Sequence, residues 1–465
     1  MIQPNAPSAY AGPYSEAETP SQAALSKPWL RYTLALLYSI IMVVLYQSLS
    51  EYWAYLGFTY EWPGAIIFPI VLIAATPSFL LAPHPKTFTQ FASWLLFYIL
   101  FMPATIIPHL QGWIDGFDAA ALFLLTVAST FIFLAISRRG SVPFPHFHLP
   151  SDLFWIGLLG AWGVFHGAIY VVLGDTLQLA GLGQAVYDQR QEASSQVTGL
   201  ILYIVTNASG AINPVLVAIG FAERKWWAVG LGIVGQVLVY MTLAGKIVLV
   251  FPIIIIGTFF LFRRGVMQPN RIALAMAAIA LIGLPLQLGR EQFGDISANL
   301  VDLVYMRTLY LPGVLVGAYH DFFSIYPLTY FSHSIVGRFI TEYPYGIWSV
   351  GQVVGNYITP GIGYNFNNYN ANFIASDGVA SFGMFGIPVV VVAAAFVLRL
   401  IDRILGHVDI RVRCAALVPF VMWIADGSLT TAMLTGGGIL ATFLLWVYGS
   451  TRHHVMLDRE DITSG

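Results

Sequence analysis

About twelve stretches of mostly apolar residues, each close to the length of a membrane crossing, constrain this chain more than any other feature. They lie at about 32–50, 63–82, 88–107, 118–136, 152–173, 197–221, 226–244, 247–262, 272–288, 379–398, 412–430 and 434–450. A helix needs roughly 20 such residues to span a bilayer. In lipid its backbone groups must be satisfied within the segment, which leaves helices as the natural solution. The expected fold is therefore all-α and polytopic. Composition agrees: 57% of residues are hydrophobic and 9% charged, where a soluble domain is roughly one quarter charged. The span at 197–221 contains Asn207, Gly210, Asn213 and Pro214, so it is expected to be kinked or broken.

The spans divide the chain. Residues 1–31 are rich in Pro, Ser, Ala and Glu and read as a disordered cytosolic tail. A cleaved signal would carry its apolar region nearer the start. Residues 32–288 hold nine spans with an outer loop at 174–196, and 289–378 form one large outer-face loop. Residues 379–450 hold three more spans, and 451–465 a second cytosolic tail. Orientation follows from Lys and Arg, which accumulate on the cytosolic side. With the amino terminus inside, only Arg190, Lys246, Arg290, Arg307 and Arg338 of the 21 cations fall outside. The chain is thus expected in a bacterial cytoplasmic membrane with both ends in the cytosol. The large loop is full of Tyr, Phe, Trp, Leu and Ile, so it should fold against the membrane or dip into it.

Cysteine and metal chemistry are narrow. Cys414 stands alone, so no intrachain disulfide forms, and no CxxC or His/Cys cluster appears. No metal or other cofactor is expected.

The five outer cations oppose the topological bias. Exposed pairs with Glu192, Glu291 or Asp295 would explain each singly. Together they resemble an anion-binding face, because Arg offers a planar fork of donors to phosphate and Lys a point charge. Leu300, Leu303, Val304, Arg307 and Tyr310 fall at helical spacing, and Pro312-Gly313 should bend or end that helix. His320 and Asp321 follow as adjacent candidate bases, or as a rim pair without a role. Phe331 to Ser334, with His333, and Arg338 are expected to share a helix. Asn370 and Asn372 belong to an Asn- and aromatic-rich segment suited to sugar hydroxyls or to turns.

Three runs now stand in order: AGKIVLVFPIIII, MRTLYLPGVLVGAYHDFFSIYPLTYFSHS and NANFIASDGVASFGMFGI. They resemble the Wzy-type oligosaccharide repeat-unit polymerases, which build O-antigen, capsule and exopolysaccharide. The resemblance covers about 240–390 by motif. It implies a GT-C-like membrane glycosyltransferase acting on glycans carried by polyprenyl diphosphate, without a metal, cofactor or nucleic acid. Membrane lipids surround it, and a chain-length regulator is a candidate partner. The loops of Arg190 and Arg307 would match the family's two functional loops. The family's Arg-to-Gly spacing of about eleven is not met, since Gly199 lies nine positions after Arg190 and Gly317 ten after Arg307.

On this reading Arg307, Arg338 and Arg290 stabilise the leaving diphosphate, with Arg190 and Lys246 in support. Asp321 is the first choice of base, with His320 and His333 as alternatives. Asn370, Asn372 and Asp377 hold sugars. The rivals are an O-antigen ligase, a flippase or transporter, and a non-catalytic assembly subunit. Asp426 is the one clear acid within a span, where a transporter commonly buries several charges.

Overall fold

The structure is a computed structural model. It describes residues 27–140, 144–145, 147, 149–178, 199–243, 245–263, 266–289, 292, 294, 300–334, 337–339, 341–361 and 368–451. Residues 1–26 of the expected tail at 1–31, residues 452–465 of that at 451–465, most of the loop at 174–196, and Arg190 and Arg290 lie outside the described residues, while Pro28 to Arg31 already belong to the first helix.

Apolar runs become helices because only a helix closes its own backbone bonds in lipid. Eight helices among the described residues are long and apolar enough to cross a membrane: Pro28–Ser50, Phe88–Leu110, Gly116–Ser137, Ser151–Leu173, Gly199–Glu223, Arg271–Leu288, Ile374–Ile404 and Leu429–Thr451. The chain is an all-α, multi-pass membrane protein. Gly64–Leu80, Trp226–Thr242 and Lys246–Leu261 are shorter apolar helices, and Ile410–Asp426 has 17 residues. One short strand pair, Phe262–Arg263 with Val266–Met267, ties a turn.

Phe88–Leu110 is the central helix, with Phe91, Trp94, Phe97, Tyr98 and Leu100 fully buried. Outer helices instead expose large apolar side chains such as Val164, Tyr170, Val171 and Leu200, as a lipid-facing surface requires. Gly199–Glu223 contains a π turn over Ala208–Ile212, which is the form its interruption takes. There it meets the break between Leu429–Leu434 and Gly438–Thr451. A Cβ on Gly210 would stand 2.2 Å from the Gly436 carbonyl oxygen, so only glycine permits this approach.

The bundle has two ends. One carries the turns near Leu81, Lys86, Arg138, Lys225, Arg271 and Arg413. The other carries the turns near Trp53, Gln111 and Asp321, and is called the loop end here.

The 301–325 segment dominates the loop end. Pro312 does not stop it: π turns over Val301–Tyr310 run directly into the α-helix Leu311–Ile325. Pro312 sits in the first turn of that α-helix, where a missing N–H costs nothing. The segment dips into the bundle, since the Tyr310 hydroxyl donates to the Met42 carbonyl at 3.1 Å, inside the first span. The indole of Trp53 donates to Asp302 at 2.8 Å and fixes its start. The expected helix through Phe331 and Arg338 does not form. Tyr330 and Phe331 have φ of 46° and 64°, a left-handed conformation that a helix excludes, and Arg338 sits in the short turn Gly337–Phe339.

Candidate functional site

His320 and Asp321 are neighbours in sequence, but a helix turns about 100° per residue and sends them apart. His320 is buried, with Nε2 3.9 Å from Asp118 Oδ2. Burial pushes its pKa below the ordinary value, against the opposing pull of Asp118 and Asp321. Asp321 instead lines a hollow of about 260 Å³ with Gly57, Thr59, Trp113, Ala318, Tyr357 and Ile358. The Tyr357 hydroxyl donates to Asp321 Oδ2 at 2.9 Å. Burial first, and then that carboxylate, push the Tyr357 phenol up to about 12. It therefore stays a donor throughout the neutral range. Asp321 Oδ1 makes no hydrogen bond among the described residues.

Three chain segments close this hollow, and sequence reasoning missed two of them. Thr59 Oγ1 donates to the Gln111 carbonyl at 2.7 Å, and the Glu61 amide to the Leu110 carbonyl at 2.8 Å, which joins the two short loops. Gly57 has φ +74°, and a Cβ there would stand 2.0 Å from Ile358 Cγ2. Glycine is thus required for the loop to pass beneath the helix Val350–Ile358. The signal for this wall was the run of aromatics Tyr52, Trp53, Tyr55, Phe58, Tyr60 and Trp62 in a connection too short to draw notice.

Arg307 lies on the same helical segment, exposed, and makes neither hydrogen bond nor ion pair among the described residues. Its charge acts on the Tyr369 phenol and on Asp426, at the end of Ile410–Asp426. The Tyr369 hydroxyl donates to the Leu56 carbonyl at 2.7 Å, beside Gly57 in the hollow's wall. Arg307 and the hollow therefore open along one edge of the loop end. Arg338 is exposed, and its charge acts on Tyr343. Tyr343 packs on Tyr345, which packs on Phe322. Lys246 opens the helix Lys246–Leu261 and is half-buried.

The remaining expected residues take structural positions. His333 Nε2 is 3.2 Å from Asp377 Oδ1, and its Nδ1 is 3.0 Å from Thr329 Oγ1. Asp377 lies within Ile374–Ile404 rather than in the loop, and its Oδ2 accepts the Leu429 amide at 2.6 Å. The pair thus pins the start of Leu429–Leu434. Asn372 is buried: its Nδ2 donates to the Pro312 carbonyl at 2.8 Å, and its Oδ1 accepts the Ala375 amide at 3.1 Å. Asn370 is exposed beside Gly351. Among the described residues no group of three or more His, Cys, Asp or Glu could hold a metal ion.

Comparison with protein-family models, with curated proteins and with solved structures gives no match.

Proposed function

We propose that the protein polymerises lipid-linked oligosaccharide repeat units at its loop end, on the outer face of a bacterial cytoplasmic membrane. All twelve apolar helices would then cross, in a GT-C-like arrangement with both termini in the cytosol. One observation carries the reading. Among the described residues, a membrane bundle presents, along one edge, a guanidinium without a hydrogen-bond or ion-pair partner (Arg307) and a hollow holding a carboxylate oxygen without one (Asp321), an indole and two hydroxyl-bearing side chains. Free Arg suits a diphosphate, and a carboxylate among aromatic and hydroxyl groups suits a sugar.

In the reaction, an acceptor hydroxyl oxygen forms a bond to C1 of the growing glycan. The bond from C1 to the donor's diphosphate oxygen breaks, and its electron pair leaves with the diphosphate. The acceptor proton passes to Asp321, whose orientation is fixed by Tyr357. Two lipid diphosphates take part, one on each substrate, and the free cations Arg307 and Arg338 hold them. Incubating purified protein with defined lipid-linked units tests this: a ladder of polymer is expected, and units that only change membrane side would refute it.

A transport reading has one observation on its side. Among the described residues the buried amide oxygens of Asn207, Asn213 and Gln236 have no hydrogen-bond partner, near a π turn and a broken helix. Transporters place their sites at such interruptions. The same assay separates the two, since transport forms no new glycosidic bond.

A further inference from the structure

Two apolar helices finish side by side at the end opposite the loops, and both finish in arginine. Arg138 and Arg139 follow Gly116–Ser137 directly, and Arg399 and Arg403 lie in the last two turns of Ile374–Ile404. Each pair is reached along an outward apolar stripe. On the second helix Phe396, Arg399, Leu400 and Arg403 fall at the i, i+3, i+4 and i+7 spacing of one helix face. Phe396, Leu400 and Arg403 are exposed, and Arg399 is half-buried. On the first, Ile132 and Ala135 are exposed one turn above Arg138 and Arg139, which are exposed themselves.

Two contacts bring the arginines together. Arg399 Nη2 donates to the Gly140 carbonyl at 2.8 Å, which seats its guanidinium against the residue that follows Arg139. The Phe144 amide donates to the Arg403 carbonyl at 2.7 Å, and the Arg403 guanidinium lies over the Phe144 ring, 5.4 Å from its centre. Like charges gathered this way repel unless an anion joins them. The side chains of Arg138 and Arg139 make neither hydrogen bond nor ion pair among the described residues. Other cations at this end have their acids: Lys225 lies 3.0 Å from Glu223, and Arg411 2.8 Å from Asp409. Asp402, next to Arg403 in sequence, is buried and accepts the Phe88 and Thr89 amides instead. Fixing the orientation of a span asks only that Lys and Arg lie near its ends. It does not ask that four of them converge from two regions of the chain.

We infer that this rim holds the phosphate of an anionic phospholipid of the surrounding bilayer, with its acyl chains laid along the two apolar stripes. Each guanidinium presents a planar fork of donors that matches phosphate oxygens, and Arg399 spends one of its five N–H groups on Gly140. Basic clusters between spanning helices at the membrane surface hold anionic headgroups by this chemistry. A soluble anion would meet the arginines and leave the stripes unused, whereas a phospholipid engages both. The site lies at the opposite end from the hollow and does not depend on the polymerase reading.

The test uses the full chain purified in a neutral detergent and measures retained lipid by native mass spectrometry. Phosphatidylglycerol and phosphatidylcholine of matched chain length are supplied in equal amounts. Wild type should retain phosphatidylglycerol with a Kd about tenfold lower, the size expected of one charge-assisted contact. Arg138→Gln with Arg139→Gln should bring the two Kd values nearly together. Lys225→Gln with Arg411→Gln removes the same charge outside the rim and should leave the preference intact. Phosphatidylglycerol with a photoreactive acyl chain should label wild type between Phe396 and Arg403 or between Ile132 and Arg139, a readout that needs no variant to fold. Equal retention of the two lipids by wild type would overturn the inference, as would labelling only elsewhere. Loss of preference in both double variants would reduce the rim to general charge and overturn it too. Displacement of the lipid by inorganic phosphate in about tenfold excess would make it a site for a soluble anion, against the inference.

Discussion

The two ends of the bundle treat their charges differently. At the end opposite the loops, several Arg are tied to the fold. Arg413 donates to the Leu405 carbonyl at 3.2 Å and the Lys86 carbonyl at 2.9 Å, and lies 3.9 Å from Asp402. Asp402 in turn accepts the Phe88 and Thr89 amides at 2.7 and 2.9 Å, capping the central helix. Arg31 donates to the Leu81 carbonyl, Arg271 to the Phe260 carbonyl at 2.6 Å, and Arg399 to the Gly140 carbonyl at 2.8 Å. These are the groups that helix ends leave unsatisfied. At the loop end, Arg307 and Arg338 have no such partners among the described residues, and Asp321 keeps one oxygen free. Counting cations by side speaks to topology. Asking what each cation touches separates structural charge from charge open to a ligand.

The contrast is sharpest at the two carboxylates. Asp321→Asn removes the proposed base while keeping the Tyr357 bond and the shape of the hollow. Turnover should fall by about a hundred- to ten-thousandfold, with normal abundance and thermal stability. Near-normal turnover would remove Asp321 from the chemistry. Asp402→Ala should do the reverse. It leaves the buried Phe88 and Thr89 N–H groups without a partner and the Arg413 charge without its counter-charge, a loss on the order of 3–5 kcal/mol. Melting in detergent should show lower stability, while turnover per folded molecule is unchanged.

Gly57→Ala tests whether the hollow needs its wall. A side chain at φ +74° meeting Ile358 should cost about 1–3 kcal/mol and weaken acceptor use more than donor use. Equal effects on both would mean the loop supports the fold alone.

The smallest effect concerns pH. Burial lowers the His320 pKa, so the folded state resists protonation that the unfolded chain accepts. Its contribution to stability is therefore present above about pH 6.5, the ordinary value, and is lost as pH falls toward the lowered folded value. His320→Phe should flatten the acid-side fall in melting temperature. An unchanged slope would show that His320 is not the group responsible.

The spans were legible because a crossing helix must be long and apolar, and such runs survive any detail of packing. The break in Gly199–Glu223 was legible from Asn207, Gly210 and Pro214, although not its form as a π turn, which depends on the neighbouring Gly436 backbone. Pro312-Gly313 marked the place where π turns give way to the α-helix from Leu311, although the segment does not end there. His333 and Arg338 were joined in one helix that Tyr330 and Phe331 forbid by their positive φ. Asn372 looked like a sugar ligand, yet its carboxamide bridges Pro312 and Ala375, a contact between segments 60 residues apart. The hollow was invisible for the same reason. Its wall comes from Gly57, Thr59 and Trp113, which meet Asp321 only in the folded bundle.

The central claim is that Arg307 is free for a ligand rather than a part of the scaffold. Its most direct test measures polymer formed per molecule of membrane-inserted protein, by gel, for Arg307→Ala and Arg307→Lys beside wild type. Arg307→Ala should accumulate normally and lose about ten- to a hundredfold of polymer at limiting acceptor. Arg307→Lys should keep part of the activity, because the charge remains while the planar fork is lost. A full ladder from Arg307→Ala at normal abundance would contradict the claim. So would low abundance with unchanged turnover per molecule, since that is the behaviour of the tied cations at the opposite end.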